Sequence, residues 1–139
     1  MAKLVLRDCY IEVNGVDFSA HVSSVTINLS KDEIDTTNFG GDGRERAHGL
    51  KDDSFEVTFQ QDFDAGSVDD VLYPLWDEET QFDVVVRPRG SSPVSSSNPS
   101  YSAECILLEY TPLAGDVGDL STTDVTFPAQ RLGIVRATS

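Results

Sequence analysis

Strict alternation of apolar and polar residues, repeated in several short segments, is the feature that most limits how this chain folds. In "SFEVTFQ", Phe55, Val57 and Phe59 alternate with polar residues, so an extended backbone places them on one side. The same period of two runs through "VSSVTINLS" and "LSTTDVTF". Such segments are strands that bury one face and leave the other face in water, which is typical of antiparallel sheets.

The spacing of the strand signals predicts the fold class. Asn14 and Gly15 form the strongest short hairpin signal, between "CYIEV" and a returning strand in "VDFSAHV". Further strands are predicted in "QFDVVVRP", "YSAECILLEY" and "LGIVRA". Because helices do not alternate with these strands, the sequence predicts a mainly β chain, an antiparallel β-sandwich or barrel of about eight strands with one flanking helix. Its 139 residues suit a single domain over residues 1–139.

The flanking helix is predicted at about residues 67–79, in "SVDDVLYPLWDEE". Ser67 is placed to cap the first turn, and Asp70 to complete a capping box. Apolar residues at helical spacing share one stripe, namely Val68, Val71, Leu72, Leu75 and Trp76. Pro74 lies inside this pattern, where it removes a backbone donor and clashes with the preceding turn. The helix is therefore expected to be kinked or short.

A long, charged and glycine-rich loop is predicted between two strand segments, at about residues 35–51. Its glycines lie among side chains of both charge signs. A phosphate-binding loop is excluded, because Asp42 lies among the glycines and a strand, not a helix, follows. Segments of this length inside compact domains are usually functional or disordered. Two interpretations stay open, an arm that meets a neighbouring subunit and a solvated hairpin tip.

The charge balance limits the partners of the chain. Asp and Glu number 24 against 10 Lys and Arg, which gives a formal net charge of −14. Such a chain lacks the cations that grip nucleic-acid backbones or anionic membranes. Near the N-terminus, Arg7 and Asp8 interrupt a short apolar run. Neither a signal peptide nor membrane insertion is expected, and the protein is expected in a cytoplasm-like compartment.

The sequence offers little chemistry for catalysis. His21 and His48 have no context that marks a general base or a metal ligand, and no GxSxG or HExxH motif is present. Cys9 and Cys105 lie far apart without CxxC spacing, so they are predicted as ordinary strand residues without a disulfide. We predict no catalytic residues and no cofactor.

A cluster of aspartates is the best candidate for a cation site. Its members are Asp62, Asp64, Asp69 and Asp70. Clustered carboxylates suit calcium, but this spacing matches no EF-hand loop, and Asp70 already has a capping role. Acids at this position also complement a helix dipole. A solvated helix N-terminus is the preferred interpretation, and no metal site is predicted.

Several motifs, taken in order, resemble the tail tube (major tail) proteins of long-tailed bacteriophages, especially those that infect actinobacteria. The most specific are "DTTNFGG" and "GDVGDLSTTDVTFP", while "VNGVDFSAHVSSVTI" and the closing "GIVRATS" extend the similarity to nearly the whole chain. The resemblance implies a β-sandwich with a flanking helix, a fold shared with the tube protein of type VI secretion systems. It also implies hexameric rings, whose inner wall is a continuous β-barrel, stacked into a conduit for DNA.

By the same resemblance, the long loop is a ring-stacking arm and the polar strand faces line the lumen. The arm residues expected to act in stacking are Asp35, Phe39, Gly40, Gly41, Arg44, Glu45, Arg46, Leu50 and Lys51. The residues expected to face the lumen are Thr26, Asn28, Glu56, Thr58, Gln60, Thr122, Asp124 and Thr126. An anionic wall would let DNA pass without adhesion.

The resemblance also implies partners and a location. The partners are further copies of the chain in stacked hexameric rings, a tape measure protein and a tail terminator. The location is the tail of a virion, after assembly in the cytoplasm of a host bacterium. Rival interpretations stay open: a terminator or connector that stops at one ring, a binding or decoration module of the virion, and an enzyme.

Overall fold

The computed structural model describes residues 5–138, so the first residues of the N-terminal apolar run lie outside the described part. The strands are β1 (Tyr10–Val13), β2 (Val16–Asp17), β3 (Val22–Asn28), β4 (Lys31–Asp35), β5 (Arg46–Lys51), β6 (Ser54–Gln60), β7 (Phe82–Arg87), β8 (Ser100–Cys105), β9 (Thr122–Pro128) and β10 (Val135–Ala137). A 3₁₀ turn, Ser19–His21, precedes β3, and helix α1 spans Val68–Asp77. No helix between residues 5 and 138 is long and apolar enough to cross a membrane.

The strands form three antiparallel sheets. One sheet has five strands in the order β10-β8-β7-β1-β2, and a second has three in the order β3-β6-β9. Among the described residues, strands β4 and β5 pair only with each other. The predicted mainly β fold with one flanking helix is confirmed, and the two strands beyond the predicted eight are β4 and β5.

The predicted hairpin at Asn14 and Gly15 is confirmed. Both residues have positive φ, 52° and 81°, which is the backbone of a type I′ turn and explains the Asn-Gly pair. The returning strand is shorter than expected, because β2 holds only two residues. The carboxylate of Asp17 then accepts hydrogen bonds from the backbone N–H and the hydroxyl of Ser19, and the chain turns there.

The core lies between the inner faces of the two larger sheets and is closed at the side by α1. Four phenylalanines run through it in successive edge-to-face contacts. Phe18 meets Phe59 at 5.6 Å between ring centroids, and Phe59 meets Phe127 at 6.2 Å. Phe127 of the three-stranded sheet then meets Phe82 of the five-stranded sheet at 5.5 Å. These contacts join the two sheets through their largest buried side chains.

Helix α1 follows its predicted stripe only in part. Val68, Leu72 and Leu75 are buried, whereas the Trp76 side chain is 44% exposed and its indole N–H donates to the carbonyl of Leu108 at 3.2 Å. With ten residues the helix is short, as Pro74 predicts, and it ends one turn after this proline.

The predicted capping box is wrong. Ser67 occupies the N-cap position, but its hydroxyl makes no capping bond and donates instead to Asp62 at 2.8 Å. The carboxylate of Asp70 accepts from the backbone N–H of Gly66, before the cap. The dipole argument for acids in the first turn still holds, because Asp69 and Asp70 lie there.

Strand β8 is shorter than the predicted "YSAECILLEY" segment and ends at Cys105. At this point the chain meets the continuation of β9, through a bridge between Cys105 and Ala129 and a hydrogen bond from Ile106 N–H to Pro128. Residues 106–121 then form a loop. Cys9 lies just before β1 and not within a strand, and both thiols are free.

We predict that Phe59→Ala lowers the free energy of unfolding by about 3–5 kcal/mol, because it opens a cavity between Phe18 and Phe127. The matched control is Phe63→Ala, since Phe63 is 59% exposed. The control should change stability by about 0.5 kcal/mol or less. Urea unfolding followed by circular dichroism measures both, and equal losses would contradict the proposed role of the phenylalanine contacts.

Candidate assembly surfaces

The outward face of the three-stranded sheet, here called the polar face, collects all of the residues expected to face the lumen. Because β6 is the central strand, its polar residues pair with both neighbours. The cross-strand rows are Thr26 with Glu56 and Thr126, Thr58 with Asp124, Gln60 with Thr122, and Asn28 with Ser54. Ser24 and Ser54 also lie in these rows, and the alternation that selected the others could have added them.

The polar face carries negative charge without a compensating cation. Glu56 and Asp124 are both exposed, and no Lys or Arg lies on the outward positions of β3, β6 or β9 within the described residues. Asp124 accepts a hydrogen bond from the hydroxyl of Thr58 at 2.7 Å, which fixes its carboxylate on this face. The potential of such a surface repels phosphate groups.

The segment predicted as a long loop over residues 35–51 is instead the greater part of a β-hairpin, here called the ribbon (residues 31–51). In it, β4 pairs with β5 from Asp35 opposite Arg46 to Lys31 opposite Lys51. No alternation marks these strands in the sequence, because every residue of β4 is exposed and neither face of the hairpin packs into a core. Because β4 follows β3 and β5 precedes β6 in the chain, the ribbon begins just after the Asn28–Ser54 pair that ends the β3–β6 ladder.

The tip of the ribbon, residues 36–45, is held by local hydrogen bonds. The backbone N–H of Thr36 donates to Glu45, and the hydroxyl of Thr37 accepts from the Glu45 N–H, both at 2.9 Å. Hydrogen bonds from Thr37 also lower the pKa of Asp35. Beyond these contacts Phe39 is fully exposed, with Gly40 and Gly41 beside it. An exposed aromatic ring at the end of a polar hairpin is a candidate contact residue.

The arginines of the ribbon pair within it. Arg44 contacts Asp35 at 3.8 Å, and the Arg46 guanidinium contacts the Glu33 carboxylate. All four side chains are more than half exposed, and ion pairs of this kind contribute about 0–1 kcal/mol. Both arginines can therefore exchange their partners for acids on another molecule at little cost.

The base of the ribbon is fixed by Asp53, which is only 2% exposed. Its carboxylate accepts hydrogen bonds from the backbone N–H groups of Ser30 at 2.8 Å and Ile134 at 2.9 Å. Lys51 lies 3.6 Å from the same carboxylate and donates to the carbonyl of Leu132 at 3.1 Å. Lys51, predicted to act in stacking, thus points toward its own chain. Leu50 is 79% exposed and points away.

The Asp53 carboxylate is ionised and tightly packed. Burial acts to raise the pKa of Asp53, but the bonds from Ile134 and Ser30 and the charge of Lys51 outweigh it and lower the pKa. Gly133 has φ of 68°, and a Cβ there would lie 2.6 Å from the Asp53 carboxylate. Sequence reasoning missed Asp53, because its partners are distant in sequence and no periodicity marks them.

A serine, a histidine and an aspartate lie together at the start of α1, but they do not have the geometry of a catalytic triad. The His21 Nε2 atom and the Ser67 hydroxyl both contact one oxygen of Asp62, at 3.1 and 2.8 Å. In a catalytic triad the carboxylate and the serine bind opposite nitrogens of the imidazole ring. Here all three groups hold the segment before the helix. His48 lies in β5, opposite Glu33.

The aspartate cluster is also divided among structural partners. Asp62 accepts the N–H of Asp64, and Asp69 accepts the hydroxyl of Tyr110 at 2.7 Å. Asp70 turns to Gly66. Between residues 5 and 138, no group of three or more His, Cys, Asp or Glu side chains is arranged to hold a metal ion.

Solved structures with low sequence identity share this architecture. A chain of the SPP1 tail tube aligns with a TM-score of 0.76 and 12% identity, over 99% of this chain and 80% of that chain. A chain of the sheath-tube complex of an extracellular contractile injection system, in the extended state, aligns with a TM-score of 0.68 and 12% identity, over 99% and 93%. The tail of an empty gene transfer agent particle, refined with C6 symmetry, aligns with a TM-score of 0.63 and 10% identity, over 86% and 82%.

These comparisons establish the fold. No protein-family model and no curated protein matches the sequence. The resemblance to tail tube proteins is confirmed at the level of the fold, while the link to phages of actinobacteria stays a prediction.

We predict that Asp53→Asn lowers the free energy of unfolding by about 3 kcal/mol at pH 7, because Lys51 and two backbone donors lose their anionic acceptor. Asp52→Asn is the matched control, since Asp52 is exposed and its hydrogen bond within the described part of the chain is from its backbone N–H to the carbonyl of Ser30. Urea unfolding measures both variants.

The same pair of proteins tests the pKa of Asp53. A lowered pKa in the folded state means that the stabilisation is complete above the unfolded value of about 3.9 and is lost as the pH falls through the folded value. The difference between wild type and Asp53→Asn should therefore narrow below about pH 4. A constant difference down to pH 2 would contradict the role of the ionised carboxylate.

Proposed function

We propose that the chain is the subunit of a phage tail tube, which assembles into stacked hexameric rings and forms a conduit for DNA. The observation that carries the proposal is the polar face: eight residues selected from the sequence share one wet, anionic face of a tail tube fold. In the proposed ring, Thr26, Glu56, Thr58 and Asp124 line the lumen. The solved structures that support the proposal are tube and tail assemblies and not enzymes.

Ring closure would use the free edges of the three-stranded sheet. Within residues 5–138, its outer strands β3 and β9 have ladder partners on one side only, apart from the bridge just beyond β9. Joining these edges between neighbours would satisfy exposed backbone groups and produce a continuous inner barrel. A sixfold ring is favoured by the C6 symmetry of the gene transfer agent tail.

The negative lumen gives a physical reason for DNA to pass without binding. Each subunit adds Glu56 and Asp124 to the wall, and neither is neutralised by a neighbouring cation within the described face. Repulsion acts over a Debye length of about 8–10 Å, so it keeps phosphate groups from settling on the wall. Contact with DNA is then transient and not adhesive.

Stacking would use the ribbon, which extends past the end of the sheet and carries an exposed Phe39. In this proposal the expected arm residues Gly40, Gly41, Arg44, Glu45 and Arg46 adapt to the next ring. The tape measure protein would fill the lumen before ejection and a terminator would end the stack, in the tail of a virion assembled in the host cytoplasm. An actinobacterial host belongs to the same proposal.

Electron microscopy of the concentrated protein tests the proposed function directly. Hollow tubes with sixfold end views are expected. Single rings that never stack would favour a terminator or connector, and a persistent monomer at high concentration would overturn the tube assignment.

We predict that replacing residues 37–44 by a two-residue Asn-Gly turn abolishes stacking but leaves the subunit folded. The removed residues contact only the ribbon itself through the hydrogen bonds and ion pairs described, so the core is untouched. Electron microscopy should show rings or monomers without tubes, and circular dichroism should show an unchanged unfolding midpoint. Normal tubes from this variant would contradict a role in stacking and favour the interpretation of the ribbon as a solvated hairpin.

We predict that the double variant Glu56→Lys with Asp124→Lys still forms tubes but retains DNA at low salt. The control is Asp83→Lys with Glu104→Lys, an equal charge change on exposed positions of β7 and β8 in the other sheet. Fluorescent duplex should co-sediment with tubes of the first variant below about 50 mM salt and be released as screening increases. Equal retention by the control would show that retention does not depend on the polar face.

A further inference from the structure

The ribbon projects from one end of the three-stranded sheet, and the opposite end is free to receive the ribbon of another subunit. The ribbon leaves that sheet where Asn28 pairs with Ser54. At the other end Gln60 pairs with Thr122, about 20 Å away along the seven residues of β6. A projection at one end and a receptor at the other would give a head-to-tail contact, which repeats without closing and so builds a stack.

An aromatic groove lies at this second end. It is lined by Asp69, Tyr73, Trp76, Tyr110 and Pro112 and holds about 320 Å³. The Tyr73 and Trp76 rings are stacked with centroids 6.3 Å apart, and both are 44% exposed. A cavity of about 150 Å³ is enough to bind benzene, so the groove has room for a phenyl ring.

The groove is rigidly held by the polar side chains around it. Gln61, the first residue after β6, donates to the Tyr110 hydroxyl at 3.0 Å and also to the carbonyl of Pro112. The Tyr110 hydroxyl in turn donates to Asp69 at 2.7 Å. The groove is therefore formed before any ligand arrives, which lowers the entropy lost on binding.

The receptor end is acidic, whereas the ribbon carries cations as well as acids. Helix α1 and the loop of residues 106–121 contain acids and no Lys or Arg, and the acids of the loop are Glu109, Asp116 and Asp119. The ribbon brings Arg44 and Arg46, whose present ion pairs are exposed and weak. The ribbon as a whole carries both signs, with four Lys or Arg and five Asp or Glu over residues 31–51. Its two arginines are nevertheless cations that the acidic receptor end lacks, so they can pair with acids there.

We propose that the groove of Tyr73, Trp76, Tyr110 and Pro112 is the docking site for Phe39 of a second copy of this chain. The proposal rests on the proposed function and adds the receptor surface to it. Phe39 is the apolar side chain at the tip of the ribbon and is fully exposed. Gly40 and Gly41 beside it carry no side chains that would keep the two backbones apart.

Photo-crosslinking in assembled tubes tests this docking. Phe39 is replaced by p-benzoylphenylalanine in one preparation and mixed with isotopically heavy wild-type protein before assembly. After irradiation, mass spectrometry should find adducts between position 39 of the light chain and residues 69–76 or 106–112 of the heavy chain. The control carries the same probe at Leu132, which is 79% exposed beside the ribbon base, and should give no adduct with the groove.

The outcomes separate this inference from the proposed function. Wild-type tubes with adducts at any other site, including the same chain or another partner protein, overturn the docking site and leave the tube assignment intact. Absence of wild-type tubes overturns both. As a second test, Tyr73→Glu should raise the protein concentration needed for tubes about tenfold, whereas Leu132→Glu should not. An unchanged concentration for Tyr73→Glu contradicts the docking site.

Discussion

The edge-to-face contacts of Phe59 with Phe18 and Phe127 fix the register on which the rest of the molecule depends. Phe59 belongs to the central strand of the three-stranded sheet, and both of its aromatic partners are fully buried. A slip of one residue in β6 would place Thr58 or Gln60 in the core and expel the aromatic ring. The same contacts that stabilise the core therefore determine which side chains face outward and create the polar face.

Asp53 holds the exposed ribbon on the folded body of the protein. A two-stranded ribbon without a buried face is marginally stable by itself. The Asp53 carboxylate ties its base to Ser30 on one side and to Ile134 on the other, while Lys51 supplies the opposing charge. The base is thus rigid and the tip projects, which suits a segment that must find a partner.

The sequence predicted those parts of the fold that leave a local pattern. Alternation located β3, β6 and β9 and the polar face, and Asn14-Gly15 located the first hairpin, because turn chemistry is local. Strands β4 and β5 were missed, since their side chains are exposed and neither strand has an apolar face that packs on a core. Asp53 and the groove at Tyr110 were missed as well, because both are assembled from segments far apart in the chain.

The net charge of −14 decides what kind of contact can hold copies of this chain together. Like-charged subunits repel one another, but salt confines the repulsion to about 8–10 Å. Attraction must therefore come from contacts that act at closer range. In the proposed assembly the strand edges offer backbone hydrogen bonds, and the ribbon offers Phe39 with two arginines. Glu56 lies on the central strand, and Asp124, although it belongs to the edge strand β9, has its carboxylate on the outward face beside Thr58 and not in the backbone ladder. The lumen can therefore stay negative while the backbone groups of the strand edges join.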